Sequence, residues 1–463
     1  MKRRWIAGGV LVLLLSGCGT GGEDSQQEPA HRDAVRSDFD GDGYGDLVVA
    51  DSSATVDGKD SAGYAAALRG SSRGPLLKGP TVLTQNGLGL GRAGEGGAFA
   101  ATGRSTTADL DGDGRADFVS QAGNNTVFVV WGSDEGLSGA ARLEGSAPMA
   151  GDFDGDGQDD LVVTGTEESS ARVLLGPFGR EGEPRRTVPL DLTSSDPENP
   201  VATPSTAGDV TGDGKDDLLV TWSHIYGDET PVPRATVVYR GASGGKLVEG
   251  PRLKDDQGKD FFGSLATGDL NKDGFADVVA GLACEIIGEP VPPDGGSRVA
   301  VVYGGPSGQS EKLKPVRITE KTAGLPVQGP FSYCTFGSGV SVGDVHGDGY
   351  ADVALSAATG ADAESDGEST VVLLRGSAGG LTVEGAQAVP GGSARMLDTN
   401  GDRAAELTVE REKPGPARGE AEVRVLRGGP GGVGPDPMLV VEEADLDLGP
   451  GISSKRWYVF GVL

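Results

Sequence analysis

Asp38-Phe39-Asp40-Gly41-Asp42-Gly43-Tyr44-Gly45-Asp46 runs straight into Leu47-Val48-Val49. Side chains that alternate along a nine-residue loop can converge on one point. Asp38, Asp40, Asp42 and Asp46, with the Tyr44 carbonyl, therefore offer oxygens to a single centre. Gly43 permits the sharp turn, because a left-handed backbone costs glycine little. The apolar run behind the loop reads as a buried strand. Calcium takes six to eight oxygens, and this set of hard donors suits it. The opening matches an EF-hand loop, but the glutamate at position twelve is missing and strands flank the loop instead of helices.

The unit recurs. First aspartates fall at Asp38, Asp109, Asp152, Asp209, Asp269, Asp344 and Asp398, at intervals of 71, 43, 57, 60, 75 and 54 residues. A second landmark alternates with it, an apolar strand ending in glycine: Ala67-Leu68-Arg69-Gly70, Val129-Val130-Trp131-Gly132, Val173-Leu174-Leu175-Gly176, Val238-Tyr239-Arg240-Gly241, Val301-Val302-Tyr303-Gly304, Leu373-Leu374-Arg375-Gly376 and Val425-Leu426-Arg427-Gly428. Seven units of about four short strands predict an all-β fold, a seven-bladed β-propeller of four-stranded blades with calcium loops. A ring leaves fewer unpaired strand edges than a solenoid or a string of beads. Small residues before several loops, as in Ser264-Leu265-Ala266-Thr267-Gly268 and Gly339-Val340-Ser341-Val342-Gly343, suit innermost strands crowded around an axis.

Phe336-Gly337-Ser338 leading to Gly343-Asp344, and Phe262-Gly263-Ser264 leading to Gly268-Asp269-Leu270-Asn271, resemble the FG-GAP repeat of integrin α-chain heads and of similar bacterial secreted proteins. The resemblance runs from Asp38 to about Val433 and is most specific in the loops; Gly281-Leu282 stands where the family often shows Gly-Ala-Pro. It implies a seven-bladed propeller, the number the repeats give independently.

The loops differ in their donors. Loops one to three carry four carboxylates each: Asp38/Asp40/Asp42/Asp46, Asp109/Asp111/Asp113/Asp117 and Asp152/Asp154/Asp156/Asp160, with seventh-position carbonyls from Tyr44, Arg115 and Gln158. Loop four has Asp209, Thr211, Asp213, Lys215 and Asp217; loop five has Asp269, Asn271, Asp273, Phe275 and Asp277. Loop six, with Asp344, Asp348, Tyr350 and Asp352, places His346 where a hard cation wants oxygen. Loop seven has Asp398, Asn400, Asp402 and Glu406, with Arg403 in place of the turn glycine. Up to seven calcium ions are expected, with affinity falling in that order and loops six and seven weakest.

The chain carries 69 acidic and 40 basic residues, a formal charge of −29. Such a field disfavours nucleic acid and anionic lipid. Lys2, Arg3 and Arg4 precede the apolar stretch Trp5 to Leu15, which is too short to span a membrane as a helix. Leu15-Ser16-Gly17-Cys18 resembles a bacterial lipobox. Residues 1–17 then form a signal peptide, 18–36 a lipidated tether and 37–463 the propeller. Cys18 is the lipidation site and the expected location is the extracellular face of a bacterial membrane, reached only through the lipid. Removing the three signal cations leaves a mature chain at −32, which seven divalent ions would bring to −18. Cys284 and Cys334 remain as a pair in an oxidising compartment, and a disulfide between them is expected.

The loops and glycine turns should share one face of the ring. The other face receives the long segments 51–63, 84–97, 189–206, 284–296, 321–335 and 359–368. Long connections on a rigid frame are where ligands bind. Trp222, His224 and Tyr226 alternate along one of them and are candidates for a ligand rim or for packing on a neighbouring blade. A monomeric binding or adhesion module for a protein or glycan is the leading expectation. A polysaccharide lyase or hydrolase with carboxylates over the central channel, and a structural or calcium-buffering envelope protein, remain open. Only three histidines exist, His31, His224 and His346, and no Gly-x-Ser-x-Gly elbow, zinc motif or phosphate loop is present. No catalytic residue is therefore assigned.

Overall fold

Apolar runs between glycine and aspartate clusters leave most segments only enough length for a strand of a few residues, the longest being Val232–Ala242. The computed structural model describes residues 37–100, 105–123, 125–165, 170–192, 201–224, 232–282, 297–327, 335–358, 369–413 and 421–453, and among these there is no α-helix. The strands form seven antiparallel blades. Blade one holds Leu47–Asp51, Tyr64–Leu68 and Thr81–Leu83; blade two holds Ser105–Ala108, Asp117–Gln121, Thr126–Val130 and Ala140–Glu144. Blade three comprises Ser146–Gly151, Asp160–Thr164, Ser170–Leu175 and Arg186–Asp191, and blade four Val201–Gly208, Asp217–His224, Val232–Ala242 and Lys246–Arg252. Blade five comprises Ser264–Gly268, Asp277–Leu282, Arg298–Val302 and Val316–Thr319, and blade six Val340–Gly343, Asp352–Ala358, Ser369–Arg375 and Thr382–Pro390. Blade seven is Ala394–Leu397, Glu406–Glu412, Ala421–Leu426 and Leu439–Val441.

Within each complete blade the strands pair in chain order, so the aspartate loop joins the first strand to the second and the glycine turn joins the third to the fourth. Antiparallel alternation then puts both on one face, as expected, and sends the remaining connections to the other. Blade one shows three strands among the described residues. Its loop is nevertheless entered in the usual register, since the Asp46 N–H donates to the Ser37 carbonyl at 2.8 Å.

The core is divided among the blade interfaces. Seven buried apolar clusters are present, each shared by two neighbouring blades. Leu110, Trp131 and Phe178 belong to the one between blades two and three, and Leu47, Val49, Leu397 and Val425 to the one between blades one and seven. The ring is therefore closed by packing. A short pairing of Thr55–Val56 with Ile452–Ser453 adds a second tie between the first blade and the end of the chain.

Crowding at the axis explains the small residues on the innermost strands, which abut one another around the ring. A Cβ at Gly208 would meet the Thr267 hydroxyl at 2.9 Å, and one at Gly343 would meet the Met396 Cβ at 2.8 Å. The rule has exceptions in Met149, Arg395 and Met396. The phenylalanines of the repeat are buried between blades: Phe336 sits between blades five and six. In blade five the buried ring is Phe261, and its neighbour Phe262 is only half-buried.

Candidate metal loops and their interlocks

Each aspartate loop is shaped by two left-handed residues, at its fourth and sixth positions. The fourth is Gly41, Gly112, Gly155, Gly212, Lys272, Gly347 or Gly401, with φ between +60° and +75°. The sixth is glycine in six loops, with φ between +81° and +91°, and Arg403 in the seventh at +73°. The turn wraps the first aspartate in backbone donors: Asp38 accepts from Gly41 (2.7 Å), Asp42 (3.2 Å) and Gly43 (2.8 Å). Asp40 Oδ1 accepts from the Asp42 N–H at 3.2 Å, and Asp42 Oδ1 from the Tyr44 N–H at 3.0 Å. The Oδ2 atoms at positions three and five are left without a backbone donor.

The ninth residue does something the sequence did not disclose. Asp117 accepts from the Leu110 N–H of its own loop at 2.9 Å and from the Gly132 N–H of the glycine turn at 2.8 Å. Asp46, Asp160, Asp277 and Asp352 make the same pair of contacts, and Asp217 the same with Thr211. The two landmarks of the repeat are thus hydrogen-bonded to one another. The glycine of the turn is required by closeness: a Cβ at Gly241 would lie 2.5 Å from the Asp216 carbonyl and 2.8 Å from the Phe153 carbonyl of blade three.

Backbone bonds also tie each loop to the next. The Ala116 N–H donates to the Asp38 carbonyl (2.9 Å), Asp216 to Asp152 (2.9 Å), Ala276 to Asp209 (2.8 Å), Ala351 to Asp269 (2.9 Å), Ala405 to Asp344 (2.7 Å) and Gly45 to Asp398 (3.1 Å). Between blades two and three the Phe178 N–H donates to the Leu110 carbonyl (2.7 Å), and the Asp109 N–H to the Asp159 side chain (2.9 Å). The seven loops form a closed belt.

Carboxyl oxygens converge to within 4.8 Å in three loops: Asp38/Asp40/Asp42, Asp109/Asp111/Asp117 and Asp152/Asp154/Asp160. Each set is three of the four carboxylates the sequence offers, and it is Asp46, Asp113 or Asp156 that stands outside. Burial, with neighbouring carboxylates adding to it, pushes Asp46, Asp160 and Asp277 up to about 7 and Asp117 up to about 8, against the backbone donors that favour the charged form. Asp217 rises to about 6 and Glu406 to about 7 for the same leading reason. Buried carboxylates that resist ionisation in company suit a cation that would offset them. Loop four adds a further sign of fit. Thr211 is 7% exposed and its Oγ1 makes no well-formed hydrogen bond, although its closeness to Asp217 favours the carboxylate. All these donors are oxygens, the type calcium takes.

Loops six and seven satisfy their last carboxylate from within. His346 is buried with Nδ1 2.7 Å from Asp352 Oδ2. Asn400 Nδ2 and Thr399 Oγ1 both donate to Glu406.

Basic side chains reach many loops. Arg69 lies 3.4 Å from Asp40, Arg185 2.7 Å from Asp156, Lys215 3.2 Å from Asp213, Arg375 2.7 Å from Asp348 and Arg427 3.1 Å from Asp402. Three of these arginines directly precede the turn glycine, a signal the sequence does hold. Arg180, which reaches from blade three to Asp111 and Asp113 of blade two, carries none.

Trp222 is not a rim residue. It is 2% exposed in the cluster between blades three and four, because its strand turns that face inward. His224 ends the same strand, and Tyr226, Cys18, Cys284 and Cys334 lie outside the described residues.

The family described as FG-GAP-like repeat matches residues 109–163 and 209–280, which hold the loops of blades two, three, four and five. Over these residues the chain carries FG-GAP-like repeats. Seven blades, four of them within or overlapping the matched residues, build the closed ring, and the integrin-like propeller reading fits it. No curated protein matches the chain. Among solved structures, BBS1N in complex with ARL6DN, soaked with mercury, aligns over 74% of this chain and 85% of that one at 15% identity and a TM-score of 0.40. The same complex soaked with lead aligns over 74% and 83% at 13% identity and 0.37.

Proposed function

We propose that this chain is a calcium-stabilised binding module of the bacterial cell surface, held to the membrane by a lipid on Cys18, which presents one propeller face to a protein or glycan ligand. The observation that carries the reading is the division of labour between the faces. One face is consumed by the belt of aspartate loops, whose backbone groups are bonded from loop to loop around the ring. The other receives the long connections, and the described ones are built structures. In segments 51–63 and 84–100, the Phe99 N–H donates to the Ala62 carbonyl at 2.8 Å, Gln85 Nε2 to the Glu95 carbonyl at 2.9 Å, and Asn86 pairs with Asp57 at 2.6 Å. Ordered connections on a rigid ring are the usual platform for recognition. Calcium would be held by the loop carboxylates and would supply charge neutralisation to the belt; the binding face needs no ion of its own.

The test is a glycan and protein array probed with the secreted chain, with calcium and with chelator. Selective retention that is lost on replacing residues 84–97 by a short glycine-serine linker is expected. Retention that survives the replacement of these connections, or turnover of an arrayed polysaccharide, would overturn the binding-module reading. A Cys18→Ala variant should leave the detergent phase into which the wild type partitions.

A further inference from the structure

We propose that Arg180 is a tethered cation that occupies the blade-two loop and competes with calcium there, so that loop two, with its full complement of four carboxylates, binds the ion less tightly than loop five. The inference rests on the calcium reading above and concerns how that reading is distributed around the ring.

The geometry is specific. In loop two the inner oxygens are already committed: Asp109 accepts from three backbone N–H groups, Asp117 from two, and Asp111 Oδ1 and Asp113 Oδ1 from one each. The oxygens without a backbone donor are Asp111 Oδ2 and Asp113 Oδ2. Arg180 takes both, with Nε 2.6 Å from the first and Nη2 2.9 Å from the second. A planar guanidinium presents its donors in a fixed fork, which suits it to spanning two oxygens.

Arg180 is also held in place by groups outside the loop. Its Nη1 donates to the Gly132 carbonyl at 3.1 Å, its guanidinium lies 5.5 Å from the centre of the Trp131 ring, and the Trp131 Nε1–H donates to the Arg180 carbonyl at 2.9 Å. Little conformational entropy is then lost when the side chain meets the carboxylates. The Arg180 side chain is itself 47% exposed, so it is this anchoring, which a freely moving surface ion pair lacks, that sets the contact apart. Arg115 adds a second positive charge beside Asp113.

Loop five has none of this. Among the described residues no basic side chain pairs with Asp269, Asp273 or Asp277, and its own Lys272 extends toward the Tyr350 ring of blade six, 5.8 Å from the ring centre. An incoming ion meets free oxygens at loop five and a resident cation at loop two. Counting carboxylates ranks loop two above loop five; counting the oxygens left open reverses them.

Trp131 makes the inference testable, because it lies under Arg180 and can sensitise terbium bound in loop two. The full secreted chain, stripped of ions, is titrated with terbium under tryptophan excitation, and Trp131→Phe assigns the signal. In Arg180→Gln the sensitised signal should saturate at about tenfold lower terbium, the worth of one charge-assisted hydrogen bond. Calcium should displace it with the same gain, and Arg180→Lys should fall between. In chelator Arg180→Gln should melt below the wild type, and calcium should close the gap. An unchanged or weakened Trp131 signal in Arg180→Gln, with calorimetry still counting calcium at other loops, overturns the inference and leaves the calcium reading standing. No ion uptake by either protein at any loop overturns both.

Discussion

Arg403 occupies a position that six sister loops give to glycine, and it adopts the same left-handed backbone at φ +73°. The loop demands it: the Arg403 N–H donates to Asp398 Oδ2 at 2.9 Å, the bond that the Gly43 N–H makes to Asp38 at 2.8 Å. A side chain there costs about 1 kcal/mol or somewhat more relative to glycine. Arg403→Gly should therefore raise the free energy of unfolding in chelator by about 1 kcal/mol, measured by urea denaturation. A fall in stability would mean that the arginine makes a contact worth more than the strain. The strain at Arg403 was legible in the sequence, because a missing glycine in a repeat stands out. Lys272, with φ +60°, was equally legible at the fourth position, since six of the seven loops have glycine there. The role of the ninth carboxylates was not. Their partners are N–H groups of a turn 15 to 27 residues away, and backbone donors leave no mark on residue type.

At the scale of strands and loops, alternation of two landmarks was enough to place strand order and to assign the loops to faces, because an antiparallel blade allows only one arrangement. Side-chain direction was harder to read. Trp222, His224 and Tyr226 alternate just as a rim would, and the period alone does not say which side faces the neighbouring blade. The long segments on the face away from the aspartate loops also hold the expected disulfide, Cys284 within blade five and Cys334 in the connection from blade five to blade six. Gly281 and Gly337 touch so closely that a Cβ on Gly281 would overlap the Gly337 carbonyl. Cys284 lies three residues beyond the first and Cys334 three before the second, so both chains leave one point of contact between blades five and six. A bond between them closes a loop of about fifty residues, worth roughly 4 kcal/mol in the chain-entropy account. Peptide mapping without reductant should recover the two cysteines joined. Full labelling of both thiols in the oxidised, native protein would exclude the pairing.

For the whole molecule the governing quantity is charge. A formal −29 is combined with Asp46, Asp117, Asp160, Asp217, Asp277 and Glu406, ninth-position carboxyls whose burial lifts them to between about 6 and about 8. A carboxyl with a raised folded pKa binds its proton in the folded state at a pH where the unfolded chain has released it. Stability therefore falls as pH rises from the unfolded value near 4 through the folded values. In chelator the melting temperature should climb as pH is lowered from 8 to 5. Calcium needs the ionised carboxylates, so its stabilising effect should be largest at pH 8 and shrink toward pH 5. Thermal unfolding across that range, with and without calcium, checks both slopes. A melting temperature in chelator that drops on acidification would contradict the burial of these groups.

The belt of backbone bonds has a bearing on how the protein comes into being. Six of its seams join parts of the chain made in close succession, and each can form as soon as the next blade exists. The seam from Gly45 to Asp398 joins residues about 350 apart, and its closure carries the entropy of the whole intervening chain. Until the last blade has been synthesised, Leu47, Val49, Tyr64, Ala66 and Leu68 have no partner to cover them. A chain cut one blade short loses two of seven interfaces and leaves two raw apolar faces. The newborn protein must therefore be shielded along its length until its final blade arrives, and its earliest-made face waits longest for cover.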